Sequence, residues 1–150
     1  MMKYKAVMLL STMLVPLFIA SCAPRPTIRN KASLNPPIDS DTAFEYAVKA
    51  GEDIGFTPTK MPKPDKAKGF VMMVSESGTG RETAKRLTGR FMALFRDYIL
   101  EIHLKKEGAI ATGVEVIGGH TGAGEFDEEN VKKLIELYLE SLKKYWKAEK

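Results

Sequence analysis

The stretch Asp97–Gly119, DYILEIHLKKEGAIATGVEVIGG, decides the fold. Its first half alternates. Tyr98, Leu100, Ile102 and Leu104 point one way, and Asp97, Glu101, His103 and Lys105 the other, which is the period of a strand with one wet face. After Glu107-Gly108, the run AIATGVEVIGG again suits a strand, with Ile110, Thr112, Val114 and Val116 on one face. Residues 98–117 therefore read as a β-hairpin, whose apolar side must be covered by another layer.

The chain downstream supplies such a layer. Val131, Leu134, Ile135, Tyr138, Leu142, Tyr145 and Trp146 recur three and four residues apart. Asp127, Glu128 and Glu129 fall in a first turn and Lys143, Lys144 and Lys147 near the other end, the charge order that a helix dipole favours. A helix of roughly 20 residues would be about 30 Å long. Upstream, Thr42-Ala43-Phe44-Glu45 has the spacing of a capping box, and Phe44, Ala47, Val48, Gly51 and Ile54 share one helical face. Gly55 is placed to end that helix. Phe56–Thr59 reads as a short extended piece, held to a sheet edge by Pro58.

Gly69–Val74, GFVMMV, is apolar at both parities, so it reads as a strand covered on both faces. Between it and the hairpin, Leu87, Phe91, Leu94 and Phe95 fit a helical stripe over 80–95, weakened by Gly89 and placed to cover the strand's second face. A long irregular connection is the alternative there. The order helix, strand, strand, helix, strand, strand, helix predicts an α+β fold. A small antiparallel sheet of about four strands is packed by an N-terminal and a long C-terminal helix, with a middle helix besides. Phe44–Val74, with its Gly55-Phe56 and Gly69-Phe70 junctions, resembles the helix-grip domains of BamC-type lipoproteins. The resemblance covers about thirty residues, implies a fold class, and transfers no binding residue.

The N-terminus carries the clearest functional signal. Lys3 and Lys5 precede an apolar run from Ala6 to Ala20, which stops at Cys22, the chain's sole cysteine. A basic start, a short apolar middle and small residues at the cut describe a secretory signal, and the run falls short of the ~20 residues that a spanning helix needs. Ile19-Ala20-Ser21-Cys22 resembles the lipobox of bacterial lipoproteins. That resemblance implies cleavage before Cys22, a diacylglyceryl thioether on its sulfur and acylation of its new amino group. The resulting organisation is a signal peptide over 1–21, a lipidated cysteine with a proline-rich flexible tether over 22–39, and one α+β domain over 40–150. Ala23, rather than Asp, follows the cysteine, so the sorting pattern implies an outer membrane facing the periplasm in a diderm host. In a monoderm host it implies the outer face of the only membrane. Loss of Lys3 and Lys5 lowers the formal net charge from +4 to +2, which leaves no broad nucleic-acid footprint.

Ser77-Gly78-Thr79-Gly80-Arg81-Glu82 resembles part of the phosphate loop of enhancer-binding AAA+ ATPases. However, Ser75 stands where that loop has glycine and Arg81 where it has lysine, and a planar guanidinium does not simply replace an ammonium. No apolar run ending in a magnesium-holding acid accompanies it, so no nucleotide is expected. A second cluster, Gly118–Gly124, reads as the turn into the final helix, with a binding loop as the alternative. Glu101, His103 and Glu115 could share a strand face, but His103 and His120 have no ligand spacing, and no metal or other cofactor is expected. No nucleophile frame is present, so no catalytic residue is assigned. The lysine-rich C-terminal end reads as a solvated helix end, with a grip on anionic headgroups as the alternative.

These readings converge on a non-enzymatic envelope lipoprotein that serves as a protein-interaction or assembly accessory module. It would meet the membrane through its lipid and an envelope protein through its domain. The rival is a periplasmic module binding a lipid or apolar small molecule between sheet and helix, which an enclosed apolar cavity would favour.

Overall fold

The computed structural model describes residues 25–58, 70–74, 78–89, 96–122 and 124–147. Eight elements follow in order: β1 (Ile28–Asp39), α1 (Ser40–Asp53), β2 (Thr57–Pro58), β3 (Phe70–Val74), α2 (Gly78–Thr88), β4 (Tyr98–Glu107), β5 (Ile110–His120) and α3 (Glu128–Lys147). The architecture is the expected α+β, with an antiparallel sheet ordered β1-β5-β4-β3-β2.

The β4–β5 hairpin is the centre of the sheet. Tyr98 lies opposite His120 and Glu107 opposite Ile110, so the strands turn on Gly108 and Ala109, with Gly108 at φ 63. The inward positions of β4 are Tyr98, Leu100, Ile102 and Leu104, all buried as the alternation predicts. On β5 the register slips beside Lys105 and Lys106. This bulge sets two residues against one and reverses the parity of the strand's first residues. Consequently Ala111 is buried and Ile110 is 48% exposed, although Ile110 was expected inside with Val114 and Val116.

β1 corrects the expected domain boundary. Residues 28–39 were read as part of a tether, yet they pair along β5 from Ile28 opposite Gly118 to Asp39 opposite Ile110. The folded unit therefore begins about twelve residues before Ser40, and among the described residues β1 brings the sheet of about four strands to five. Pro36 and Pro37 argued against a strand, but they fall within the irregularity between Ser33 and Ile38 on an edge strand, where a missing N–H breaks no ladder bond. Leu34 and Ile38 are buried, and Ile28 and Ala32 pack against the core.

α1 starts at Ser40, capped by Asp39 rather than by Thr42. The Asp39 carboxylate accepts from Asp41 N at 3.0 Å and Thr42 N at 3.1 Å, satisfying donors that the first turn leaves free. Gly55 at φ 88 ends the turn after α1, and its N–H donates to Glu52 O at 3.0 Å. β2 is a two-residue edge strand opposite Val74 and Met73, which agrees with the placing of Pro58.

α2 ends at Thr88, because Gly89 takes φ 68 and donates its N–H to Lys85 O. Gly89 is thus a helix stop rather than a weak interior position; 90–95, the rest of the expected helix, lies outside the described residues. α2 packs on α3, where Lys133 Nζ donates to Leu87 O at 3.1 Å, with Thr83 and Ala84 buried. Whether the helix also covers β3, as expected, is outside the described residues, because the side chains of β3 and residues 90–95 are among those not described.

α1 and α3 cover one face of the sheet. Ala43, Ala47 and Ala50 are fully buried, and their small side chains let α1 approach closely. Tyr138, also fully buried, donates its hydroxyl to Ala47 O at 2.9 Å, and burial raises the pKa of that phenol. α3 lies directly on β5 at Gly118: a Cβ there would fall 2.8 Å from Val131 Cγ1 and 2.9 Å from Ile135 Cδ1. Gly118→Val should therefore push α3 off the sheet and lower stability by about 1–3 kcal/mol. Urea unfolding would show it as a lower midpoint; an unchanged midpoint would mean that α3 shifts freely.

Candidate functional site

Cys22, expected to be lipidated, and Ile19, Ala20 and Ser21, which resemble a lipobox, lie outside the described residues, so the structure neither positions nor tests them. Ser75–Ser77 lie outside as well. Within the rest of the phosphate-loop resemblance, Gly78 to Gly80 are already helical. Arg81 is bound to Asp97: its Nε donates to Oδ1 at 3.0 Å, and its Nη2 contacts the same oxygen. The pair ties α2 to the start of β4.

The sheet face opposite α1 and α3 carries two hollows. Its distal part is charged. Glu101 Oε1 and His103 Nε2 are 2.5 Å apart along β4, and His103 lies directly opposite Glu115 on β5. Glu115 turns away toward β1, where Arg29 and Lys31 stand at 3.8 and 3.7 Å. The three residues named as a possible surface metal site thus share a face without converging, and no group of three metal-type ligands occurs among the described residues. A shallow hollow of about 570 Å³ runs beside them, bordered by Lys31, Ser33, Lys105 and Thr112. Toward the other end the face becomes apolar. Ile99 and Ile117 line a smaller hollow of about 190 Å³ with Pro26 and Thr27, and Ile117 is only 9% exposed. The face is thus mixed: Glu101, His103 and Glu115 are half-buried charged or titratable groups, Ile99 is half-buried and Ile117 is buried.

A buried polar cluster sits at that apolar end, on the helix side. The Tyr98 hydroxyl donates to Asp127 Oδ2 at 2.9 Å, and Asn130 Nδ2 donates to the same oxygen at 2.9 Å and to Tyr98 Oη at 3.1 Å. Arg96 adds a contact at 3.3 Å. Asp127 N donates to His120 Nε2 at 2.9 Å, so the ring proton lies on Nδ1, which donates to Thr121 O at 2.9 Å. Phe126 stacks on the His120 ring at 5.3 Å. Burial works against the Asp127 charge, but hydrogen bonds from Asn130 and Tyr98, with Arg96 nearby, outweigh it and hold the carboxyl below its usual range. Burial and the Asp127 carboxylate push the Tyr98 phenol up.

The cluster is a structural tie. It fastens the start of α3 to the open end of the hairpin, and the glycines around His120 supply its bends, with Gly122 at φ 104 and Gly124 at φ 103. Gly118 to His120 still belong to β5, so of the expected Gly118–Gly124 turn only Thr121, Gly122 and Gly124 lie in the bend, and 123 lies outside the described residues. Asp127 was read for its charge alone, and the role of Asn130 was missed; the spacing Asp127-x-x-Asn130 was the one local signal. Among the described residues no helix is long and apolar enough to cross a membrane.

No family model matches the chain, and no curated protein matches it in sequence. Solved structures similar in shape include Ara h 8.0201, 12% identical, with a TM-score of 0.48 over 83% of this chain and 99% of that one. A DUF4468 family protein from Bacteroides ovatus ATCC 8483 is 11% identical, with a TM-score of 0.36 over 81% of this chain and 80% of that one.

Proposed function

We propose that this chain is a bacterial envelope lipoprotein, held to a membrane by lipid on Cys22, whose α+β domain is a non-enzymatic module for a protein partner. The observation that carries the reading is Ile19-Ala20-Ser21-Cys22 behind a basic and then apolar leader, with the cysteine at the one place where lipidation would use it. In a diderm host the domain faces the periplasm from the outer membrane. Two or three acyl chains, at ~0.8 kcal/mol per buried methylene, anchor stably where one would not. The open sheet face, with half-buried Ile99 beside Glu101 and His103, supports a partner-binding reading.

The rival reading, an apolar ligand held between sheet and helices, draws less support from the packing. α3 sits on Gly118 with no room for a methyl group, and Tyr138, Leu134, Leu100 and Ile102 fill the space between the layers.

Cys22→Ser should yield an unprocessed precursor or a protein lost from the membrane fraction. Mass spectrometry and fractionation of cells decide it: normal processing and membrane retention in the variant would refute the anchor. Crosslinking in intact cells and recovery of the anchored protein then separates the two roles. An envelope protein in the recovered complex supports the module, and recovery alone with bound lipid supports the rival.

A further inference from the structure

Resting on the anchor at Cys22, the geometry points to one end of the domain as its bilayer-facing surface: the end carrying Arg25 to Ile28, the last residues of β5 with the bend at Thr121 and Gly122, Arg96 and the start of α3. Had the tether run through Asp39, the domain would be free to take any orientation. The structure instead starts β1 at Ile28 and continues the chain along the same strand line before it. Pro26 O and Thr27 Cγ2 both lie 3.6 Å from where a Cβ of Gly119 would stand, just past the pairing of Ile28 with Gly118. The leash therefore leaves along the strand axis, off one end of the sheet. From Cys22 to Pro26 the chain spans at most about 14 Å.

The strands are long compared with that leash. The eleven residues of β5 extend about 35 Å from His120 to Ile110. The Gly108-Ala109 turn, Pro36 and the C-terminal end of α3 all belong to the far end, since Trp146 Nε1 donates to Pro36 O at 2.7 Å. The near end is thus kept within about 14 Å of the headgroups by the leash rather than by charge, since the exposed Glu125, Glu128 and Glu129 share it with Arg25, while the strands stand away from the surface and the open sheet face looks sideways. Lys143, Lys144 and Lys147 are carried to the far end, so they do not grip the leaflet that holds the lipid.

Nitroxide labels on two exposed positions test this, because lipid blocks the native thiol. Glu125→Cys marks the near end and Ala109→Cys the far end. The lipidated full chain is placed in vesicles of phosphatidylethanolamine and phosphatidylglycerol containing a nickel-chelating lipid. Relaxation of the label at 125 should be enhanced several-fold over that at 109. Equal enhancement, or a stronger effect at 109, overturns the orientation while leaving the anchor intact. Flotation of the same vesicles reports the anchor separately: protein that stays at the bottom overturns the lipoprotein reading and this orientation with it.

Discussion

Trp146→Ala should lower the unfolding free energy by about 3–5 kcal/mol. Trp146 is 4% exposed, and its indole N–H donates to Pro36 O at 2.7 Å, joining the last turn of α3 to the irregular part of β1. Truncation removes a large buried surface and leaves a carbonyl without its donor. A domain of this size has about 5–15 kcal/mol in all, so the loss takes a large part of it. Trp146→Phe separates the two contributions. It keeps most of the apolar contact and forfeits only the hydrogen bond, for about 1–3 kcal/mol. Guanidinium unfolding of the three proteins checks both values. A loss below about 1 kcal/mol in the alanine variant would mean that the end of α3 is not fastened to β1.

Asp127→Ala should cost a similar amount, about 3–5 kcal/mol, because it removes one member of a buried charged cluster and strands the others. Arg96 and the Tyr98 hydroxyl would lose the carboxylate they meet, the Asn130 amide would keep only Tyr98 Oη, and the first turn of α3 would lose its cap. The same group predicts an acid response. Its carboxyl is held below the usual range in the folded state, so its contribution is full above the unfolded value near 4 and disappears as pH falls through the lower folded value. Asp127→Asn should therefore be less stable than the native chain at neutral pH, and the gap should narrow in strong acid. Thermal unfolding between neutral pH and about pH 2 reads this directly; a gap that stays constant would place the stabilisation elsewhere.

The parts of the fold legible in the sequence were those whose signal is periodic and local. The alternation of Tyr98 to Leu104 and the three-four spacing of Val131 to Trp146 each depend on neighbours along one element. β1 was illegible because its two prolines are tolerated only by virtue of lying on a sheet edge, a fact about its partner β5 and not about its own residues. The inversion at Ile110 arises from a bulge that no alternation rule foresees. The polar cluster draws Tyr98, His120, Asp127 and Asn130 from three places along the chain, so only its Asp127-x-x-Asn130 part could be read locally. The lipobox resemblance stands apart: it is wholly a matter of short-range sequence, and the described structure adds only how close the domain begins behind it.

The pairing of β1 with β5 bears on how the chain reaches this state. Ile28 finds its partner at Gly118, about 90 residues later, so the first strand to emerge has no ladder to join until nearly the whole polypeptide is present. If the chain is exported as proposed, that edge of the sheet stays open until the residues of β5 have followed β1 across, so the last ladder to close is a long-range one.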